Sequence, residues 1–154
     1  MENRDIEFMK LALSEAQKAA DAGEPPIGAV LVCGDEVLVT AHNHREREYD
    51  ITSHAEIEVL RLAGQQKGDW RLSDCTLYVT LEPCPMCAGA ILSARISRVV
   101  FGAKDATMGA MGSVLNLPRF PLGAKPQVEH GVCEQESRAL LQEFFKNRRK
   151  EKNS

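Results

Sequence analysis

The chain has 154 residues, 44% of them apolar and 27% charged, with a formal net charge of −3 at neutral pH. That composition suits one globular domain with one substantial core, and it excludes collagenous and low-complexity classes. No apolar run approaches the roughly 20 residues of a membrane span, and Met1-Glu2-Asn3-Arg4-Asp5 lacks the basic start and apolar stretch of a signal peptide, so no membrane association and a cytoplasmic setting are expected. The five cysteines are an odd number and the closest two, Cys84 and Cys87, form a C-x-x-C. This argues against a disulfide framework and for a reducing compartment, with Cys33, Cys75 and Cys133 expected as buried thiols. The net charge gives no global nucleic-acid signal. Lys146, Arg148, Arg149, Lys150 and Lys152 nevertheless crowd one end of the chain, and the plain reading is a solvated helix end complementing the helix dipole.

Ile6, Met9, Leu13, Ala16 and Ala20 recur at helical spacing, which predicts an amphipathic helix over 5–22 with Gly23 as its stop. Ile27 to Cys33 is apolar and rich in β-branched residues, a buried strand. Gly34-Asp35 turns the chain into a second strand, Val37 to Ala41, making a hairpin. A polar loop from His42 to Thr52 leads to a second helix starting at His54. Ser53 and Glu56 have the spacing of a capping box, and the helix should run to about Ala63. After a loop over 64–74, Thr76 to Thr80 is a third strand. A third helix begins at Cys84, with Pro85 in its first turn, where a missing N–H costs nothing. Arg98 to Phe101 is a fourth strand, 102–123 is irregular with room for a short helix, and Pro126 to His130 is a fifth strand. Glu134 to about Arg149 forms the last helix, with Leu140, Leu141, Phe144 and Phe145 on its apolar face. Helices alternating with strands imply an α/β fold, and the opening hairpin makes its sheet mixed.

His54-Ala55-Glu56 and Pro83-Cys84-Pro85-Met86-Cys87 carry the chemistry. One histidine and two cysteines suit a zinc ion that keeps a fourth position for water. A carboxylate beside such a water is placed to shuttle protons. Each part has a plainer reading. Glu56 alone is explained by the capping box. Cys-Pro-x-Cys after a strand also occurs as a thioredoxin-like redox motif, but His54-x-Glu56 would then be idle. A structural zinc site wants a fourth protein ligand, which His42, His44 or His130 could supply. Asn43 alone is an ordinary turn residue after a strand. Gly109 and Gly112 lack phosphate-loop spacing.

The chain resembles the bacterial tRNA-specific adenosine deaminases, within the cytidine deaminase-like superfamily, from about Phe8 to Arg149. The likeness rests on Glu24-Pro25-Pro26-Ile27-Gly28-Ala29-Val30, on His54-Ala55-Glu56, on Leu77 through Ala90 with its Thr80-Leu81-Glu82-Pro83-Cys84-Pro85-Met86-Cys87 centre, on Val99-Val100-Phe101-Gly102-Ala103 and on Phe144-Phe145. It implies a three-layer α/β/α fold with a mixed sheet of about five strands, and a single deaminase domain over 1–154 with a basic tail at about 146–154. It implies one zinc per chain held by His54, Cys84 and Cys87, with Glu56 as catalytic proton shuttle. Asn43, Pro26, Ile27, Ala55 and Asp105 would bind the nucleotide. Separately, Phe144 and Phe145 should anchor the last helix on the core, and the position of Arg148, Arg149 and Lys150 just after them predicts that these three meet RNA backbone. The implied activity is hydrolytic deamination of adenosine to inosine at the wobble position of a tRNA anticodon loop, by a homodimer. The chain departs from the family pattern at Ala124-Lys125-Pro126-Gln127, where an Asn-His pair is usual. The alternatives are a deaminase of a free base or nucleoside of guanine or cytosine type, and a non-enzymatic zinc-stabilised binding module.

Overall fold

The computed structural model describes residues 3–46 and 49–152. Five strands form one sheet in the order β2-β1-β3-β4-β5. They are β1 (Gly28–Cys33), β2 (Glu36–His42), β3 (Cys75–Leu81), β4 (Arg98–Ala103) and β5 (Gln127–His130). The hairpin partner β2 and the central β3 both run antiparallel to β1, while β3, β4 and β5 are mutually parallel. The sheet is therefore mixed, as the sequence predicts.

Strand alternation sorts the apolar residues between two layers. Ala29, Leu31, Leu77, Val79, Val99 and Phe101 face α2 (Ala55–Lys67) and α3 (Pro85–Ser93), burying Val59, Ala63, Ala88 and Ile91. Val30, Val32, Tyr78 and Val100 face the other way, onto Met9 and Ala12 of α1 (Asn3–Asp21). The last helix, α4 (Glu134–Lys152), packs on that second face beside α1 and β4.

Three sequence expectations need correction. The second helix passes through Gly64 and stops at Gly68, whose left-handed φ of 65° is the conformation a glycine adopts without penalty. Cys33 and Cys75 are not free thiols but are joined as a disulfide. The antiparallel register of β1 on β3 sets them opposite one another, with Cα atoms 4.2 Å apart, a pairing that a separation of 42 residues hides from local sequence reading. Phe145, expected on the apolar face of the last helix, is not packed into the core: it is 42% exposed and lines the pocket described below. The short helix expected within 102–123 is a 3-10 turn at Leu117–Arg119.

Candidate active site

The starts of β1, α2 and α3 and the ends of β2, β3 and β4 gather at one edge of the sheet, around a cavity of about 640 Å³. Pro25, Ile27, Asn43, His54, Glu56, Glu82, Cys84 and Asp105 all line it.

His54 is the N-cap residue of α2, in extended conformation, and makes no side-chain cap. The helix thus starts one residue later than a Ser53 cap requires, and the expected capping box does not form. Ser53 instead donates to Glu58 (2.8 Å), and the Ala55 N–H is accepted by Oδ1 of Asn43, also at 2.8 Å. A residue twelve positions earlier thereby satisfies an orphan amide of the helix. Since its oxygen is held in this way, Asn43 has its amino group left to offer the cavity. Glu56, released from capping, is only 4% exposed and turns inward.

Cys84 is the N-cap of α3, Pro85 follows at the first helical position, and Cys87 lies one turn in. Both sulfurs face His54: Nδ1 lies 3.7 Å from Cys84 Sγ and 3.4 Å from Cys87 Sγ. In a tetrahedral zinc site with ordinary Zn–N and Zn–S bonds, the nitrogen–sulfur edge is roughly 3.5 Å. The three donors therefore already stand at the edges of such a site, and their chemistry suits zinc. His42, His44 and His130 do not join this cluster; among the described residues the ligand atoms within reach of one another here are those of His54, Cys84 and Cys87. A second set of metal-type donors, Cys33, Asp74 and Cys75, lies at the opposite edge of the sheet, but its sulfurs are spent on each other.

The site's protonation is asymmetric. The Cys87 thiol donates to Cys84, and with the His54 hydrogen bond this holds Cys84 down to about 4 against the opposing effect of burial. Cys87 is raised, first by that shared proton and then by burial. His54 is raised, chiefly by its hydrogen bond to Cys84. Glu56 is pushed up to about 7, burial being the largest cause.

The structure brings most of the sequence-predicted residues together. Asp105 and Ile27 are on the cavity wall. Pro26 is buried behind it, with Pro25 on the wall in its place, and Ala55 is fully buried and meets Asn43 through its backbone. Arg148 pairs with Glu46 at 3.0 Å and covers the Phe144 ring, whereas Arg149 and Lys150 are exposed. Sequence reasoning missed Arg45, Met86, Lys104, Met108, Leu141 and Phe145, which complete the rim. Of these, only Leu141 and Phe145 carried a signal, as members of the apolar face of the last helix.

This edge-of-sheet site, with two helix N-termini presenting one histidine and two cysteines beside a buried carboxylate, defines a class of zinc-dependent deaminases. The profile of the cytidine and deoxycytidylate deaminase zinc-binding region matches residues 2–103, and the chain belongs to that family. It is 47% identical over 154 residues to the tRNA-specific adenosine deaminase of Bacillus subtilis, covering 98% of this chain and 94% of that protein. It is 45% identical over 143 residues to the enzyme of the same name from Agrobacterium fabrum, covering 92% of this chain and 94% of the relative. A solved structure from a study of A-to-I editing by tRNA A34 deaminases at the wobble position superimposes with a TM-score of 0.85. Its sequence identity is 45%, over 88% of this chain and 99% of that one.

Proposed function

We propose that the chain, as a single domain over 1–154, deaminates adenosine to inosine at the wobble position of a tRNA anticodon loop. The observation that carries this reading is the meeting of Glu56, Asn43 and the His54–Cys84–Cys87 donor set in one cavity, in a chain so similar to tRNA-specific adenosine deaminases. His54, Cys84 and Cys87 would hold one zinc ion per chain. A bound zinc supplies Lewis acidity that brings the pKa of a water to near neutrality.

The chain's own residues then do the rest. Asn43, its oxygen fixed by the Ala55 amide, turns its amino group to the base and orients it. Glu56, poised at about 7, takes a proton from the attacking water and delivers it to N1 of the purine as the oxygen bonds to C6. It relays a second proton to the exocyclic amino group, which leaves as ammonia while C6 becomes the carbonyl of inosine. The base must leave its stack to enter, which a single-stranded loop permits at small cost. Arg149 and Lys150, exposed at the end of α4, are placed to meet phosphates. No described helix is long and apolar enough to cross a membrane, and a cytoplasmic setting fits a tRNA substrate. A second copy of the chain would dock on the shallow groove of about 1010 Å³ between α2 and α3, where Trp70 is 55% exposed, giving a homodimer.

A free-base deaminase would share Glu56 and the zinc ligands. A solved guanine deaminase from Bacillus subtilis matches at 37% identity, with a TM-score of 0.62, over 68% of this chain and 66% of that one. The test is to offer the zinc-loaded protein an anticodon stem-loop with adenosine at the wobble position, and separately guanine, cytosine, adenosine and cytidine. Inosine in the stem-loop with no ammonia from the free compounds is expected; ammonia from guanine or cytosine alone would refute the RNA reading.

A further inference from the structure

The wall of the cavity opposite the zinc-type donors is a segment without regular structure. Lys104, Asp105, Ala106, Thr107 and Met108 line the cavity from it. Something other than a helix or strand must hold these residues in place, because an irregular segment lacks the repeating backbone bonds that fix one. Locally, Asp105 Oδ1 accepts from the N–H groups of Thr107 (3.0 Å) and Met108 (3.1 Å), which shapes a turn but ties it to nothing else.

The tie to the rest of the molecule is Glu82. This residue sits in the β3–α3 turn, two positions before Cys84, and is only 2% exposed. Its Oε1 accepts from the Asp105 N–H (3.1 Å) and from the Ser113 hydroxyl, and its Oε2 from the N–H groups of Met111 (3.0 Å) and Ser113 (3.1 Å). Two backbone bonds flank these: the Glu82 N–H donates to the Ala103 carbonyl, and the Ala110 N–H to the Pro83 carbonyl, both at 2.9 Å. Gly109 adds an independent observation. A Cβ there would come within 2.5 Å of Glu82 Cδ and Oε2 and of the Asp105 carbonyl oxygen, so only a residue without a side chain lets the segment turn and close over the carboxylate. The loop is wrapped around the Glu82 carboxylate, which takes up four of its donors.

Glu82 is not among the proposed ligands and needs no contact with the substrate to matter. We propose that Glu82 is a positioning residue for substrate binding. Its carboxylate staples the 104–113 wall to the turn that carries Cys84 and Cys87, so that the wall contacting the bound nucleoside and the turn carrying two of the zinc ligands move as one body. A carboxylate is needed because four donors converge on it, and an amide presents two hydrogens of its own to them. The substrate readout below rests on the deaminase reading; the cleavage readout does not.

The experiment compares the zinc-loaded parent with Glu82→Gln, Gly109→Ala, the double variant and Ser113→Ala. Two quantities are read: KM and kcat on the anticodon stem-loop, and the rate of tryptic cutting after Lys104, which is exposed at the start of the segment. Glu82→Gln is expected to keep its zinc, to raise KM by about tenfold or more with kcat within about threefold, and to be cut at Lys104 at least about tenfold faster. Gly109→Ala, which leaves the carboxylate intact but pushes the loop off it, should do the same. The double variant should fall short of the two single effects combined, because both loosen the Glu82 contact, although the added Cβ also meets the Asp105 carbonyl within the segment itself. Ser113→Ala, losing one donor of the four, should shift both readouts the same way by a smaller factor. Unchanged KM and unchanged cutting in Glu82→Gln would overturn the proposal, as would a loss of zinc or folded fraction with KM preserved. If Glu82→Gln does not fold, Gly109→Ala decides: parent-like KM and cutting there overturn it. If the parent fails to deaminate the stem-loop, the substrate reading is refuted and the cutting rates alone decide on Glu82.

Discussion

Asp5 and Glu56 are carboxylates of nearly equal burial, 2% and 4% exposed, yet their surroundings drive them in opposite directions. Asp5 Oδ1 accepts from the Tyr78 hydroxyl at 2.6 Å and from Arg98 Nη1 at 2.9 Å, and Oδ2 accepts from Arg98 Nη2 at 2.7 Å. Arg98 in turn reaches Glu129 at 2.7 Å. The Arg98 guanidinium therefore holds Asp5 below the usual carboxylate range, and the network joins α1 to β3, β4 and β5. Glu56 has no ion pair among the described residues, and burial pushes it up to about 7. Burial raises a carboxylate where no cation opposes it, as at Glu56, and is overcome where one does, as at Asp5. A saturated carboxylate is a structural strut, and one left with spare capacity at neutral pH can exchange protons.

The comparison can be broken in several places. The largest effect belongs to the donor set that gives the Glu56 end its purpose. Cys87→Ala should lose zinc and all measurable turnover, and chelation of the parent should do the same reversibly. Metal analysis of that variant showing full zinc would sink the ligand assignment.

Next comes the strut. Asp5→Asn keeps the shape but removes the charge opposite Arg98, and should lower unfolding free energy by about 2–4 kcal/mol, read by denaturant titration. Turnover per folded molecule should stay within about twofold. The sign of the pH dependence follows from the direction of the shift. The Asp5 pKa is lowered in the folded state, so its contribution is full above the ordinary value of 3.8 and is lost as pH falls through the folded value. Asp5→Asn should flatten that acid limb.

Asn43→Ala should sit between the two regions, costing about 1 kcal/mol as a lost helix cap and also raising KM. A stability loss with KM untouched would make Asn43 a cap alone. The smallest effect is expected at the end of α4. Arg149→Ala with Lys150→Ala should lower the salt slope of stem-loop binding by roughly one per lost phosphate contact. A parent-like slope would leave the tail as a solvated helix end.

Much of this was legible in the sequence, for identifiable reasons. The five strands and the other three helices announced themselves by apolar pattern, and α3 by Pro85. The His54, Cys84 and Cys87 cluster was legible because groups able to hold a metal are particular residue types at particular spacings. The cap supplied by Asn43, the Cys33–Cys75 pairing and the role of Glu82 were not, because each depends on residues brought together by the sheet rather than by neighbouring positions. Glu56 shows the limit most plainly. Its spacing from Ser53 fits a capping box, yet the helix starts one residue later and the carboxylate is buried at the cavity.

Glu56 would then be buried for proton transfer and not for structure. Zinc-loaded Glu56→Gln, assayed for inosine in the wobble stem-loop with zinc content and thermal stability measured on the same sample, tests it directly. About one zinc per chain, undiminished stability and a kcat lower by on the order of 10²–10⁴-fold are expected. Turnover within about threefold of the parent would contradict it.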